Sequence, residues 1–326
     1  MNSEDRFVEA VRALLPAGGP VVIGPGDDAA ILDREGGLLA ATTDMLVESV
    51  DFLPEEPAAA IGRRAVSVNL SDLAAMGAEP EALVLAIGFR GERGPEFPLA
   101  VTRGASERAA EFGARLVGGD VSEAPATIVS VALWGRPAGR PLTRTGARPG
   151  DDVYLSGFPG RAAAGLRLAR RSPSSSTTAE RELLDAYRDP EPRVALGAAL
   201  ARAGLATAAI DVSDGVGVDA GRLARASGVR IVLERARLPV SASLRAFAGA
   251  EGADPVEWLL SGGDDYELLF TAPASHAERV ESCARGAGTP VTRVGRVEAG
   301  EGAVLEGAGG ERSIAELGHD HFRRAS

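Results

Sequence analysis

Apolar residues recur along the chain with two spacings, and each spacing predicts a different kind of element. Residues 3–15 place Phe7, Val8 and Val11 on one face of a helix. Continuous apolar runs between turn residues, such as "EALVLAIGF" at 81–89, predict buried strands. Further strands are predicted at 20–24, 29–33, 37–46, 114–120, 126–137, 266–272 and 290–299, further helices at 58–77 and 98–113, and strand–turn–helix units at 153–171 and 206–234.

The residue composition changes near the middle of the chain. Residues 136–152 read "RPAGRPLTRTGARPGDD", which is typical of a linker. We therefore predict an N-terminal domain over 1–137 and a C-terminal domain over 138–326. Strands alternate with helices in both, so the predicted fold class is α/β or α+β in two layered domains. The low-complexity stretch "SPSSSTTAERE" at 172–182 is predicted to be a mobile surface loop.

Acidic residues stand at turns and strand ends in several places. One pair lies in "GPGDDAAIL" at 24–32 and another in "SGGDDYELLF" at 261–270. Asp is a favoured turn residue and helix N-cap, so each motif alone has an ordinary structural explanation. Adjacent side chains of an extended segment point to opposite faces, so only one Asp of each pair is expected to face a shared cleft. The acids that could converge are Asp28, Asp44, Asp72, Asp120, Asp211 and Asp214.

Repulsion between these carboxylates leaves two arrangements open. Two unit charges about 4 Å apart repel by roughly 4 kcal/mol at an effective dielectric of about 20. Several such contacts together would exceed the ~5–15 kcal/mol by which a domain is stable. Either the acids lie apart as caps and turn residues, or cations sit between them. Because no Cys or His belongs to the set, those cations would be Mg²⁺, Ca²⁺ or Mn²⁺ rather than zinc.

A cleft with several such cations suits a polyphosphate, and the glycines fit that interpretation. The "GG" before Asp120 and Asp264 would let a ligand approach the backbone closely. The segment "SGFPGRAAAG" at 156–165 resembles a strand-to-helix turn that cradles an anion. The motifs "NLSD" at 69–72 and "DVSD" at 211–214 are a weak sign of two similar halves.

Composition and charge exclude several classes of protein. With 35 basic and 46 acidic residues the net charge is −11, which argues against a nucleic-acid partner. The sequence contains no lysine, which excludes a P-loop lysine, a protein-kinase lysine and a pyridoxal-phosphate Schiff base. The only histidines are His276, His319 and His321, and two of them lie near the C-terminus. This argues against an all-histidine metal site and against a Ser-His-Asp triad.

The compartment is predicted from cysteine usage and from the apolar runs. Cys283 is the one cysteine, which favours a reducing compartment. The N-terminus opens acidic and amphipathic, unlike a signal peptide, and no apolar run approaches the roughly 18 residues of a membrane span. We predict a cytoplasmic protein with no membrane partner.

Together these motifs resemble the thiamine-monophosphate kinase family, of the superfamily of aminoimidazole-ribonucleotide synthetase and selenophosphate synthetase. The likeness runs from Phe7 to Phe322, and "NLSDLAAMGA" with "SGGDDYEL" is its most specific part. It implies an N-terminal α/β domain that pairs through its sheet in a homodimer, and a C-terminal α/β domain. It also implies direct transfer of the γ-phosphoryl group of ATP to thiamine monophosphate, assisted by several Mg²⁺ ions. The motifs that carry it are "GPGDDAAIL", "TTDMLVESVDF", "NLSDLAAMGAEP", "LVGGD", "LTRTGARPGD", "IDVSDG", "SGGDDYELLF" and "GHDHF".

The resemblance also implies a role for individual residues, with no acid or base among them. Asp72, Asp120, Asp214 and Arg144 would be the most critical for turnover. The implied magnesium positions are Asp28, Thr42, Thr43, Asp44, Asp72, Asp120, Asp211 and Asp214, the implied ATP positions are Gly119, Asp120, Arg144 and Ser213, and the implied substrate positions are Asp51, Asp264 and His319.

Three positions depart from the pattern of the family. Asp51 stands where histidine is common, His319 replaces an aromatic residue before "DHF", and Arg103 stands where an aromatic residue could stack on adenine. Two alternatives stay open: another ATP-dependent member of the superfamily, or a non-catalytic protein that binds nucleotide or thiamine phosphate. Selenophosphate synthetase usually carries a reactive Cys near its N-terminus, where this chain has none.

Overall fold

The first half of the chain forms a six-stranded mixed sheet. A computed structural model describes residues 3–14, 19–171 and 177–319. The strands in chain order are β1 (Val21–Ile23), β2 (Ala30–Arg34), β3 (Gly37–Val47), β4 (Ala78–Phe89), β5 (Arg115–Glu123) and β6 (Ile128–Pro137). Their order across the sheet is β1-β2-β3-β6-β4-β5, with β4 and β5 parallel and the other neighbours antiparallel.

Two helices cover one face of this sheet. The helices of the first half are α1 (Ser3–Leu14), α2 (Ala58–Ala75) and α3 (Glu96–Glu111), of which α2 and α3 pack on the sheet. Because strand side chains alternate between faces, Leu83 and Leu133 are buried under the helices. Their neighbours Val84 and Trp134 lie on the opposite face and stay partly exposed. We call that opposite side the open face.

The second half forms a seven-stranded mixed sheet. Its strands are β7 (Asp151–Ser156), β8 (Ala208–Val212), β9 (Arg230–Glu234), β10 (Glu267–Pro273), β11 (Val291–Glu298), β12 (Gly302–Gly307) and β13 (Gly310–Ser313). Their order is β13-β12-β9-β11-β7-β10-β8, in which β9 and β12 are parallel.

Both faces of the second sheet are covered. The helices of this half are α4 (Arg161–Ala169), α5 (Thr178–Arg188), α6 (Val194–Ala203), α7 (Val216–Ser227), α8 (Ala242–Ala250), α9 (Pro255–Ser261) and α10 (Ala277–Gly286). Leu269 of β10 belongs to the core beneath α7, whereas Phe270 belongs to a core shared with α2 and the first sheet. The helix α2 therefore lies between the two sheets. None of the described helices is both long and apolar enough to cross a membrane.

The connection at 138–150 is irregular but is fixed on both halves of the molecule. The Leu142 amide donates to the Met76 carbonyl at 3.1 Å, and the Ala209 amide donates to the Thr143 carbonyl at 2.8 Å. This linker carries Arg144 to the junction of the two sheets. The predicted boundary between domains 1–137 and 138–326 falls at its start and stays a prediction.

The predicted strands and helices are confirmed, with one correction. The stretch 172–182 was predicted to be a loop, but α5 begins inside it, while residues 172–176 lie outside the described part. The Thr177 hydroxyl accepts from the Glu180 amide at 3.2 Å, and the Glu180 carboxylate accepts from the Thr177 amide at 2.7 Å. This capping box starts a helix whose Leu183 and Tyr187 are buried. The run of small polar residues concealed an N-terminal helix signal.

We expect Gly197→Ala to destabilise the fold by about 1–3 kcal/mol, because overpacking forces the backbone apart. A Cβ atom at Gly197 on α6 would lie 1.9 Å from the Ala74 carbonyl oxygen of α2. Gly249→Ala on α8 is the matched control, since its Cβ would have nothing within 4 Å. That control should change stability by less than about 1 kcal/mol, in the stabilising direction. Urea unfolding measures both, and equal stabilities would contradict the α2–α6 contact.

Candidate functional site

A cavity of about 1430 Å³ lies where the two sheets meet. Its walls include the turn before β2, the middle of β3, the end of α2, the linker and the turn between β8 and α7. Of the residues singled out in the sequence, those lining it are Asp27, Asp28, Thr42, Thr43, Asp44, Asp51, Asp72, Arg144, Asp211, Ser213, Asp214, Asp264 and His319.

Three acids from separate elements converge at the centre of the cavity. Asp28, Asp72 and Asp211 each place a carboxylate oxygen within 4.8 Å of the other two. Asp28 and Asp211 are buried, and the Oδ2 atom of Asp28 has no hydrogen-bond partner. A buried carboxylate oxygen without a donor is costly, and an oxygen-only cluster of this size suits a hard divalent cation. The residues present therefore fit magnesium.

Neighbouring side chains hold these acids in place. The Thr42 hydroxyl of β3 donates to Asp72 at 2.5 Å. The Ser71 hydroxyl of α2 donates to Asp211 at 2.7 Å, so the "NLSD" and "DVSD" motifs meet across the two halves. The Asn69 side-chain oxygen accepts from the backbone amide of Asp44 at 3.0 Å, which fixes β3 against α2.

Two arginines neutralise part of the acidic charge. Arg144 donates through Nε to Asp28 at 3.1 Å, and its Nη2 also contacts Asp28. Arg222 of α7 contacts Asp214 and donates to Asp219 at 2.9 Å. Both guanidinium groups line the cavity, so they stand where they could turn to the phosphate oxygens of a ligand.

Burial and mutual repulsion oppose ionisation of the acids. The pKa of Asp72 lies well above its usual 3.8, chiefly through burial and then through Asp44, Asp211 and Asp28. Burial, then the charge of Asp28, also raises the pKa of Asp211 well above 3.8.

The adjacent acids are shifted in the same direction. Burial, then repulsion by Asp28, raises the pKa of Asp27 to about 6. Burial, then repulsion by Asp214, raises the pKa of Asp219 to about 7. A cation bound among these carboxylates would oppose these effects and favour their charged forms.

A second part of the cavity contains the predicted substrate positions. Asp264 is partly exposed and its Oδ1 accepts from the Tyr266 hydroxyl at 3.0 Å. Asp51 accepts from the backbone amide of Val47 at 2.7 Å. The backbone amide of His319 donates to the carbonyl of Asp214 at 3.0 Å, which places this residue beside the β8–α7 turn.

Asp120 and Gly119 are not brought to the cavity. Both lie on the edge strand β5, where Asp120 pairs with Ala86 of β4 and is exposed. Since Ala86 alternates with the buried Leu85, Asp120 stands on the open face of the sheet. Arg103 is exposed on α3 and is likewise absent from the described lining of the cavity. Within one copy of the chain these positions are separate from the converging acids.

The two Asp pairs behave differently from each other. Asp264 faces the cavity, whereas Asp265 turns away and accepts from the amides of Gly160 and Ala162, so this pair diverges as expected. Asp27 and Asp28 both line the cavity, because residues 25–29 form turns rather than an extended segment. The expectation that only one of them would face the cleft is wrong.

The predicted anion cradle at 156–165 is also corrected. The amides of Gly160 and Ala162 at the start of α4 point at the Asp265 carboxylate, at 2.5 and 3.1 Å. This helix N-terminus is therefore satisfied by an acid of the same chain. The amides of Gly160 and Ala162 are therefore not available to a ligand phosphate.

Several residues of the site were not predicted from the sequence. Arg222 and Asp219 stand eight and five positions after Asp214, and this helical spacing was the only signal for them. Ser71 was visible within "NLSD", but its partner Asp211 is 140 positions away. Contacts between residues so far apart in the sequence cannot be predicted without the three-dimensional fold.

Comparison with known proteins places the chain among close relatives. The AIR synthase related protein models match it over 26–136 for the N-terminal domain and 148–307 for the C-terminal domain. It is 36% identical to a thiamine-monophosphate kinase of Escherichia coli (strain K12), over 93% of this chain and 92% of that protein. A thiamine-monophosphate kinase of Mycobacterium tuberculosis is 39% identical over 82% and 80% of the two chains. The solved structure of AaThiL complexed with AMPPCP and TMP superposes with a TM-score of 0.86 at 30% identity, covering 99% of both chains.

We expect the stability of the metal-free protein to fall as the pH rises from about 5 to about 8. The folded-state pKa values of Asp72 and Asp211 lie above their unfolded value of 3.8, so the folded protein binds more protons and loses stability as they leave. The folded values of about 6 and about 7 for Asp27 and Asp219, against 3.8 in the unfolded chain, place the loss of stability from these two acids between about pH 4 and about pH 7.

Thermal unfolding in EDTA across this pH range measures the effect. Added Mg²⁺ should restore stability at the upper end, and Asp72→Asn should flatten the pH dependence because it removes one of the repelling charges. A stability that is flat in EDTA and unaffected by Mg²⁺ would contradict the assignment of a cation site.

Proposed function

Because the chain belongs to the thiamine-monophosphate kinase family of AIR synthase related proteins, we propose that it transfers the γ-phosphoryl group of ATP to thiamine monophosphate. The products are thiamine diphosphate and ADP. The observation that carries the proposal is the convergence of Asp28, Asp72 and Asp211 beside Arg144 in the cavity between the two sheets.

The residues of the cavity suit a reaction between two anions. The acceptor is an ionised phosphate, so no proton has to be removed and no general base is required. This agrees with a cavity whose described ionisable groups include acids, arginines and only one histidine, His319. The task of the protein is to hold two phosphates in line against their repulsion.

Magnesium bound at the implied positions would supply the positive charge that screens and orients the phosphate oxygens. The chain's own contribution is to place the ligands from four separate elements on a rigid frame. Thr42 and Ser71 donate to Asp72 and Asp211, which fixes the direction of the carboxylate oxygens. Asp44, Asp214 and Thr43 line the same cavity and complete the proposed set within one copy, Asp120 excepted.

Arg144 is proposed to bind the nucleotide phosphates together with Ser213. Its backbone is fixed, because its amide donates to Asp27 at 3.0 Å and its carbonyl accepts from the Ser227 hydroxyl at 2.9 Å. Only the side chain is left to exchange Asp28 for a phosphate, and a guanidinium offers two parallel donors to such an anion. The linker thus places the guanidinium group of Arg144 beside the acids of the proposed metal site.

The acceptor is proposed to lie against Asp51, Asp264 and His319. Asp264 and Asp51 offer carboxylates that suit a positively charged ring or an amino group, while His319 can stack on an aromatic ring. The aromatic residue common at the position of His319 and the histidine common at the position of Asp51 are absent, so ring stacking contributes less here than charge.

We also propose that the protein acts as a homodimer through the open face. The side chain of Met45, which stands on this face opposite Ser130 of β6, is 57% accessible, and that of Val117 at the irregular start of the β4–β5 pairing is 59% accessible. Thr43 of the cavity and Asp120 both stand on this face. A second copy packed on it would bring its own Gly119 and Asp120 to the cavity of the first.

Further proposals concern environment and specificity. A cytoplasmic location is supported by the lone Cys283, which cannot form a disulfide within the chain. Arg103 stands exposed on α3, on the covered side of the first sheet and away from the open face, so its implied place beside adenine stays a prediction.

The direct test is turnover of thiamine monophosphate with ATP and Mg²⁺, followed by detection of ADP and thiamine diphosphate. A panel of other acceptors, including selenide and formylglycinamidine ribonucleotide, separates the other members of the superfamily. Tight binding of thiamine monophosphate without turnover would instead identify a sensor on the same scaffold.

We predict that Asp72→Asn and Asp214→Asn each lower kcat by at least about a hundredfold. Each substitution removes a charged ligand of the metal that is proposed to hold the phosphates. The fold should survive, and metal-free Asp72→Asn should unfold at a higher temperature than the wild type, since a repelling charge is gone. Asp33→Asn on the exposed end of β2 is the control and should behave as wild type. Near-normal turnover by both site variants would contradict the metal assignment.

The dimer proposal predicts complementation between two inactive variants. If Asp120 acts in the partner's site, a mixture of Asp72→Asn and Asp120→Asn chains forms mixed dimers with one intact site. After denaturation and joint refolding, activity should return to about a quarter of the wild-type value, since about half of the dimers are mixed. No recovery would mean that Asp120 acts within its own chain, and an Asp120→Asn chain that is active by itself would mean that Asp120 has no role in turnover.

A further inference from the structure

We infer that Arg64, a buried arginine outside the cavity, positions the Asp264 carboxylate for the acceptor and so sets the acceptor affinity without touching it. This inference rests on the proposed function, in which Asp264 contacts thiamine monophosphate. It concerns a positioning residue, since Arg64 does not line the cavity whereas Asp264 does.

Arg64 reaches Asp264 from the other half of the molecule. It lies on α2, and only 3% of its side chain is exposed. Its Nη2 lies 2.9 Å from Oδ2 of Asp264, which precedes β10 of the second sheet. Its Nη1 donates to the Tyr187 carbonyl at 2.8 Å, and its guanidinium lies 4.5 Å from the centre of the Tyr187 ring. The arginine is therefore held from two sides before it meets Asp264.

The backbone at Asp264 is held in an unusual conformation. Asp264 and Tyr266 have φ angles of 69° and 52°, the left-handed region that non-glycine residues rarely adopt. Two backbone bonds keep them there: the Asp264 amide donates to the Ser213 carbonyl at 2.7 Å, and the Tyr266 amide donates to the Val212 carbonyl at 2.8 Å. Strained residues of this kind persist where the surroundings determine them, commonly at ligand sites.

Each oxygen of the Asp264 carboxylate has a partner, a hydrogen-bond donor at Oδ1 and an ion pair at Oδ2. Oδ1 accepts from the Tyr266 hydroxyl at 3.0 Å and Oδ2 pairs with Arg64. A carboxylate has about four acceptor directions, and Asp264 lines the cavity, so acceptor directions are left for a ligand there. An arginine keeps its charge at every physiological pH, which makes Arg64 a permanent partner for this acid.

A different arrangement of charges would follow without Arg64. The acid could rotate toward Tyr266 alone, and its remaining acceptors would no longer face the cavity in one direction. The acceptor would then lose a preorganised contact, while ATP on the Arg144 side would keep all of its contacts. The effect should therefore fall on one substrate only.

The test compares Arg64→Gln with the wild-type protein in steady-state kinetics and in calorimetric binding of thiamine monophosphate. We expect the KM and Kd for thiamine monophosphate to rise by about tenfold to a hundredfold, as misplacement of a binding group does, with the KM for ATP unchanged. Arg64→Lys retains the charge and should recover part of the affinity. Tyr266→Phe removes the hydroxyl that donates to Asp264 and should raise the KM for thiamine monophosphate as well. This variant tests the positioning of Asp264 if Arg64→Gln does not fold.

Arg63→Gln is the matched control. Arg63 is the neighbouring residue on α2 and pairs with Glu111 and Asp189 rather than with Asp264. It loses the same charge and should lower the melting temperature without changing either KM.

A double-mutant cycle shows whether Arg64 acts through Asp264. Once Asp264→Asn is present, adding Arg64→Gln should change the acceptor KM little further. Independent, multiplicative effects would overturn the inference, as would a lower melting temperature with both KM values unchanged. If the wild type binds thiamine monophosphate but does not phosphorylate it, the proposed function fails and the Kd values still decide the inference. If it does not bind, both fail.

Discussion

Repulsion among Asp28, Asp72 and Asp211, whose carboxylate oxygens lie within 4.8 Å of one another, is the constraint on which the site depends. The fold brings these acids together although burial and proximity raise the pKa values of Asp72 and Asp211. Such an arrangement costs stability in the absence of a counter-charge. Arg144 offsets part of this cost through its contact with Asp28, and a divalent cation at the proposed site would offset more of it.

The packing of α2 between the two sheets makes this arrangement possible. Asp72 stands at its end, and small residues such as Gly197 and Gly62 let α6 and α3 approach it closely. Ser71 on the same helix donates to Asp211 of the second sheet. One helix therefore aligns ligands from both halves, and the core that holds it is shared by both.

Much of this organisation could be predicted from the sequence, because apolar periodicity and turn residues determine strands and helices locally. The acids at strand ends were visible for the same reason, and the fold brings Asp28, Asp72 and Asp211 together. Pairings between distant residues were not visible: Arg64 with Asp264, Ser71 with Asp211 and Asp265 with the start of α4 depend on tertiary structure. The position of Asp120 was hidden too, because a strand at the edge of a sheet looks in sequence like any other strand.

The linker ties the angle between the two halves to Arg144, the arginine proposed to bind phosphate. Its hydrogen bonds from Leu142 to Met76 and from Ala209 to Thr143 fasten consecutive residues to different sheets. Arg144 follows directly and contacts Asp28. A rigid-body hinge rotation of one half must break one of these tethers or drag Arg144 away from Asp28. A change in the angle between the two halves would therefore also change the balance of charge around Asp28.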